Sequence, residues 1–197
     1  MPMAIEEDLL TELKAWQEEL VEIRKLSRHT CKNYVGDCKQ FLYFLNTHLG
    51  HEISLSLLNK LTTQDFRAFF AQRRKEKLQL RSLARQIASL RSFFKYLNKK
   101  NILNVSAIQS IRLPKQPKRL PKSLTIADTF LLFKGEETQN NWIGLRNKAV
   151  LYLLYGCGLR ISEALAVTEQ DFYFSTQQEN RSNLYIKGKG NKSRLIP

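Results

Sequence analysis

The chain has 197 residues, 43% of them hydrophobic and 25% charged, which suits one or two globular domains with a real core. Its 32 Lys and Arg outweigh 18 Asp and Glu, for a formal charge of +14. That balance points to a polyanionic partner, whether DNA, ribosomal RNA or an anionic membrane surface, because neutralised phosphates release counterions. Cys31, Cys38 and Cys157 are odd in number and have no metal-ligand spacing, which argues against a disulfide scaffold and a zinc module and for free thiols. Met1–Asp8 holds acids where a signal peptide needs bases followed by an apolar run. The longest apolar stretch, Ala149 to Leu159, is about half of the ~20 residues of a membrane span, so a cytoplasmic protein is expected.

The first hundred residues read as helices. Leu9, Leu13, Trp16, Leu20 and Ile23 recur at spacings of three and four, one apolar stripe on an amphipathic helix. Ser27 is placed to cap the next helix, with Tyr34, Cys38, Phe41 and Leu45 facing inward and Arg28, Lys32 and Lys39 on the opposite face. Thr62 or Thr63 caps a third helix, carrying Phe66, Phe69 and Phe70. Ser82 is expected to cap a fourth, with Leu83, Ile87, Leu90, Phe94 and Leu97 inside and a stripe of Arg81, Arg85, Ser89, Ser92 and Lys99 outside. Acids are nearly absent from both basic stripes, which favours DNA contact over a merely solvated face. No proline falls between Met3 and Leu113, so four helices forming a compact bundle over residues 1–110 are predicted.

Composition then shifts. The segment Arg112 to Lys122 holds three of the five prolines and five bases, among them Lys115, Lys118 and Arg119, and no acid. It reads as an extended linker, residues 111–123, able to lie along a phosphate backbone. A second domain, residues 124–197, opens with a capping box, Thr125-Ile-Ala-Asp128, and a short helix to about Lys134. Asn141 to Tyr155 is predicted to be a long buried helix, because Ile143, Ala149, Val150, Leu153 and Leu154 are too dense for a surface one. Gly156-Cys-Gly158 stops it, Ile161 to Val167 restarts a helix, and Phe172–Phe174 and Asn183–Ile186 have strand composition. Lys187-Gly-Lys-Gly-Asn191 is expected to turn a hairpin into Leu195-Ile196.

Two clusters carry chemistry. In Gly156-Cys-Gly-Leu-Arg-Ile-Ser-Glu163, a glycine break is followed at once by Arg160, a permanently charged fork suited to phosphate. Glu163 lies one helical turn on, where it can orient that guanidinium. In Ile186-Lys-Gly-Lys-Gly-Asn-Lys-Ser-Arg194, Lys187, Lys189, Lys192 and Arg194 make a basic hairpin thin enough to enter a DNA groove. His48 and His51 would need a third ligand to hold a metal, and none is near, so no metal or other cofactor is expected.

The order of these motifs, Leu153-Leu-Tyr-Gly-Cys-Gly-Leu-Arg-Ile-Ser-Glu163 and then Gly188-Lys-Gly-Asn-Lys-Ser-Arg194, closely resembles the tyrosine recombinase (phage integrase) family. Arg81 to Leu97 and the Pro-Lys-Arg-Leu-Pro-Lys122 linker resemble the Xer branch, nearer to XerC than to XerD. The resemblance implies a mainly α, overall α+β architecture: a four-helix SAM-like core-binding bundle, then the opening part of an α+β catalytic domain with its β-hairpin. It implies site-specific DNA strand cleavage and rejoining without metal or ATP. A tyrosine attacks the scissile phosphate to form a 3′-phosphotyrosyl link, arginines stabilise the transition state, and a hairpin lysine protonates the departing oxygen.

By that resemblance Arg160 matches the first family arginine, Lys189 the hairpin lysine, and Glu163 the acid that supports the arginine. Arg28, Lys32, Lys39, Arg81, Arg85, Lys99, Lys115, Lys118, Arg119, Lys187, Lys192 and Arg194 are the candidate DNA contacts. Asn147 and Ser193 stand where acids are common. The family's His-x-x-Arg box, its later His or Trp and its nucleophile follow the hairpin, whereas here eight residues follow Lys189 and all seven tyrosines precede it. The expectation is therefore a chain cut short before its nucleophile, one that binds DNA without cleaving it. The partners implied for the full-length relative are a dif-like duplex site, further copies of itself and a XerD-like recombinase in a tetrameric synapse, acting in chromosome dimer resolution. A non-catalytic DNA-binding remnant, or a regulator competing for recombination sites, is the alternative.

Overall fold

The computed structural model describes residues 5–112, 123–137, 141–174, 182–188 and 192–196. They fall into two compact units, residues 1–119 and 120–197.

The first unit is helical. α1 (Glu7–Glu18) runs directly into a π turn, Glu19–Ile23, followed by α2 (Arg28–Leu49), the short α3 (Leu55–Asn59), α4 (Thr63–Lys75), α5 (Leu80–Lys99) and a 3-10 turn, Ala107–Ser110. Local chemistry sets several boundaries. Ser27 Oγ accepts from Thr30 N at 3.3 Å to start α2, and Gly50 ends it in the left-handed region at φ 70°. Thr62 N and its hydroxyl both donate to Asp65 Oδ2 at 2.8 Å to start α4. The expected Ser82 cap is wrong: α5 begins at Leu80 after an extended Gln79, and Ser82 lies inside the first turn.

The core is aromatic. The Phe41 ring stacks on Phe66 and meets Phe69 edge-on, both at 5.1 Å, and Trp16 packs on Phe93 at the same distance. α1 carries Glu7, Asp8, Glu12 and Glu18 against the single base Lys14. Glu12 fastens it to α5, accepting from Tyr96 Oη at 2.9 Å and Lys100 Nζ at 2.8 Å.

Leu9, Leu13, Trp16 and Leu20 are buried as the periodicity requires, but Ile23 is 74% exposed. The π turn explains this. Arg24 N bonds Glu19 O, five residues back, and the wider turn rotates Ile23 off the stripe. Arg91 closes the unit by donating to the carbonyls of Ile108, Gln109 and Ile111, which anchors the segment leading out of the bundle.

The second unit holds α6 (Ile126–Glu137), α7 (Trp142–Tyr155), α8 (Ile161–Ala164), a 3-10 turn (Glu169–Asp171) and the strands β1 (Phe172–Phe174), β2 (Ser182–Lys187) and β3 (Ser193–Ile196). The strands form an antiparallel sheet in the order β1-β2-β3, with Leu184 opposite both Phe172 and Ile196. The capping box is present: Thr125 Oγ1 donates to Asp128 Oδ2 at 2.7 Å and accepts from Asp128 N at 3.1 Å. Asn141 Oδ1 caps α7 through Gly144 N at 2.9 Å.

The expectation that α7 is buried fails. Among its apolar residues, Trp142 is 67% exposed, and Ile143, Leu145, Tyr152 and Tyr155 are also exposed. The described core of this unit is small: Leu159, Ala164, Leu184 and Ile186, with Val150, Leu153 and Leu154 packed against them. It covers one side of α7, while Phe133 of α6 touches Tyr152 and Tyr155 at ring distances of 4.9 and 6.0 Å. On the other sides of α7, Ile143 and Leu145 stay exposed, and the Arg146 guanidinium stands over the Trp142 ring at 5.1 Å. No helix among them is long and apolar enough to cross a membrane.

Candidate functional site

The second-unit cluster is built on a glycine break. A Cβ on Gly156 would lie 2.9 Å from the Tyr152 carbonyl, and Gly158 sits at φ +63°, a conformation that costs an L side chain roughly 1–2 kcal/mol. The chain reverses, and Leu159 N returns to Leu153 O at 3.2 Å, with the buried Leu159 side chain pinning the turn. Arg160 follows in an extended conformation at the head of α8.

Glu163 is the hub. Its Oε2 accepts from Arg160 N at 2.9 Å and Arg194 Nη2 at 2.8 Å, and its Oε1 from Arg160 Nη1 at 3.0 Å and Arg194 Nη1 at 3.3 Å. Glu163 is buried, while the Arg160 side chain is 71% exposed. The arginine is thus held by its base with its other donors in solvent. The two Arg194 bonds, then the Arg160 backbone N–H, hold the Glu163 carboxyl down to about 2, so it stays ionised.

Gly188 adjoins the same carboxylate. A Cβ there would stand 3.4 Å from Glu163 Oε1 and 3.3 Å from the Lys192 carbonyl, to which Gly188 N also bonds at 2.8 Å. The described base of the β2–β3 hairpin therefore rests on the acid that grips Arg160. Lys189, and likewise Lys115, Lys118 and Arg119, lie outside the described residues. Lys187 and Lys192 are exposed. Arg194, expected to contact DNA, pairs with Glu163 while its side chain stays 39% exposed, a pairing that the sequence separation of the two residues conceals.

In the first unit Arg28, Lys32 and Lys39 are exposed on α2, as are Arg81, Arg85 and Lys99 on α5. The α5 stripe is one residue out of register with expectation: Ser89 is buried, and Ala88 and Lys95 occupy the outer positions. Arg24 Nη1 reaches Ser92 Oγ at 2.6 Å. With Arg91, Lys95 and Lys99 it lines a shallow hollow of about 560 Å³ that also admits Glu19. Arg24 and Lys95 were not singled out from the sequence. Lys95 follows from the 3.6-residue repeat once Arg85 is fixed, whereas Arg24 depends on the π turn.

Acids are not absent beneath these stripes. Asp37, 2% exposed, accepts from Arg85 Nε at 2.9 Å and Nη2 at 3.0 Å. Its signal in the sequence is a lone carboxylate among the inward-facing residues Tyr34, Cys38 and Phe41. Burial, then the neighbouring Asp37 charge, pushes the Cys38 thiol well up. His48 stacks on Phe44 at 4.9 Å. No group of three or more His, Cys, Asp or Glu able to hold a metal ion occurs among the described residues.

Residues 13–101 match the family model of the phage integrase N-terminal SAM-like domain. The tyrosine recombinase XerC of Agrobacterium fabrum is 44% identical over 98% of this chain and 60% of its own length. XerC of Rickettsia typhi is 36% identical over 94% of this chain and 59% of its own. The chain thus spans about three fifths of the length of these curated relatives. In fold it is similar to a lambda integrase tetramer bound to a Holliday junction, at a TM-score of 0.71 and 17% identity over 96% of this chain and 48% of that one. It is also similar to XerH bound to a palindromic difH substrate, at a TM-score of 0.64 and 20% identity over 93% of this chain and 52% of that one. A helical bundle matched as a domain and an alignment over nearly the whole chain to XerC proteins agree: the chain is similar to members of the tyrosine recombinase (phage integrase) family.

Proposed function

We propose that these residues are the DNA-binding and part of the catalytic apparatus of a XerC-like site-specific recombinase, which cuts and rejoins a duplex site in the cytoplasm. What most supports the reading is Arg160 held on buried Glu163 at the position where the family's motif has its first arginine. In this mechanism Arg160 neutralises a non-bridging oxygen of the scissile phosphate as charge builds in the pentacoordinate transition state. Glu163 acts one step back, fixing Arg160. Lys189 donates the proton to the departing 5′ oxygen. The exposed bases of α2 and α5 grip the phosphate backbone and position the protein, and Lys115, Lys118 and Arg119 extend that grip along the linker. No step calls for a metal or a nucleotide cofactor.

The partner set proposed is a dif-like duplex, further copies of the chain and a XerD-like recombinase in a four-membered synapse that resolves chromosome dimers. No tyrosine follows Lys189 within these 197 residues. Acting alone, they bind duplex DNA and form no covalent adduct. Incubation with a nicked suicide substrate tests both halves: a retarded complex that dissolves in denaturant is expected. A denaturant-resistant phosphotyrosyl adduct would refute the second half, and equal affinity for RNA and duplex DNA across a salt titration the first.

A further inference from the structure

We infer that Asp37 is a positioning residue of the DNA-binding face. Its buried carboxylate takes one edge of the Arg85 guanidinium so that the other edge is presented to a backbone phosphate. The inference rests on the proposed DNA binding and names the residue that aims one of its contacts.

Three observations carry it. First, the pairing is one-sided. Asp37 engages Nε and Nη2, the donors of a single edge of the fork. Arg85 Nη1 has no partner among the described residues, and the side chain stays 41% exposed while Asp37 is sealed beneath it. The donors that Asp37 does not use are solvated and open to an anion. Among side chains, arginine can hold a carboxylate with one edge of a planar fork and an anion with the other.

Second, Asp37 sits beside an ordered polar layer, in which Ser89 Oγ donates to the Gln86 carbonyl at 2.9 Å. Ser89 Oγ lies 3.4 Å from Asp37 Oδ2. Next to it Gln86 Nε2 donates to Gln40 Oε1 at 2.9 Å, and Arg73 Nη2 donates to the same oxygen at 3.0 Å. Those bonds join α2, α5 and α4 beside Asp37, whose own carboxylate is fixed by burial and by the two Arg85 bonds.

Third, the exposed edge belongs to a basic face. Arg81 and Lys95 are exposed on α5 and Lys39 on α2. A phosphate reaching Arg85 meets a guanidinium whose rotamers are already chosen, which lowers the ordering cost of contact.

The sign of one substitution separates aiming from bulk electrostatics. Asp37→Asn removes a negative charge, so charge alone predicts tighter binding to DNA. Positioning predicts weaker binding, by about three- to tenfold at low salt. The measurement is fluorescence anisotropy of the full 197-residue chain with a labelled duplex of random sequence, at several salt concentrations, with thermal melts in parallel. Arg85→Ala should weaken binding to the same degree and lower the log–log salt slope by about 0.9, one phosphate contact. Arg85→Lys should resemble it despite the retained charge, and the Asp37→Asn/Arg85→Ala pair should be no weaker than Arg85→Ala alone. Asp37→Glu keeps the ion pair, should restore most of the melting temperature, and should still bind less tightly than wild type because the guanidinium is displaced. If Asp37→Asn does not fold, Asp37→Glu carries the test. Affinity equal to or above wild type in a folded Asp37 variant, or in Arg85→Ala, overturns the inference. Absence of salt-dependent binding by the wild-type chain would instead overturn the DNA-binding reading beneath it.

Discussion

Glu163 holds two guanidinium groups on one buried carboxylate, so its protonation releases both at once. Its folded value, about 2, lies below its ordinary 4.5. Its stabilising contribution is therefore complete above the ordinary value and is lost as pH falls through about 2. An acid titration followed by the amide signals of α8 and β3 should show a step in that window. Glu163→Gln should abolish the step and loosen Arg160 and Arg194 already at neutral pH; an unchanged step would place the titration elsewhere. The motif made Arg160 and Glu163 legible, because they are three residues apart on one helical turn. Arg194 and Asp37 were not, because each finds its partner across the fold, and a base on a basic hairpin or an acid on an apolar face carries no sequence mark of that partner.

At the scale of elements, caps were the most legible feature. Ser27 and Thr125 with Asp128 bond as their side chains suggest, and Thr62 starts α4 by donating to Asp65, whereas Ser82 does not cap α5. Ser27→Ala should therefore cost about 1 kcal/mol, read as a lower denaturation midpoint of the bundle at unchanged m-value. What failed were the features that local pattern does not control. A hydrophobic stripe assumes a uniform turn, and the π turn after α1 breaks that assumption at Ile23. Apolar density in α7 predicts that the helix seeks burial, not that neighbours supply it. The outer faces of α6 and α7, with Phe130, Leu131, Trp142 and Leu145 exposed, form the kind of surface that binds hydrophobic dyes. We expect strong fluorescence enhancement of ANS by the native chain, reduced by paired Leu131→Glu and Leu145→Glu substitutions; a dye signal insensitive to them would assign it to another surface.

For the molecule as a whole, the excess of 32 bases over 18 acids makes the proposed DNA affinity a function of salt before it is a function of sequence. Binding to random duplexes should fall by roughly 10³ between ~50 and ~200 mM salt if about six phosphates are engaged, which a competition titration reads directly. That charge is not spread evenly. The first helix gathers acids and the following ones gather bases, so the bundle behaves as an electric dipole in the field of a nucleic acid. For the proposed DNA binding, the torque on such a body at long range would select the approach angle and disfavour encounters led by the first helix. Orientation then becomes part of the association rate rather than something settled after landing.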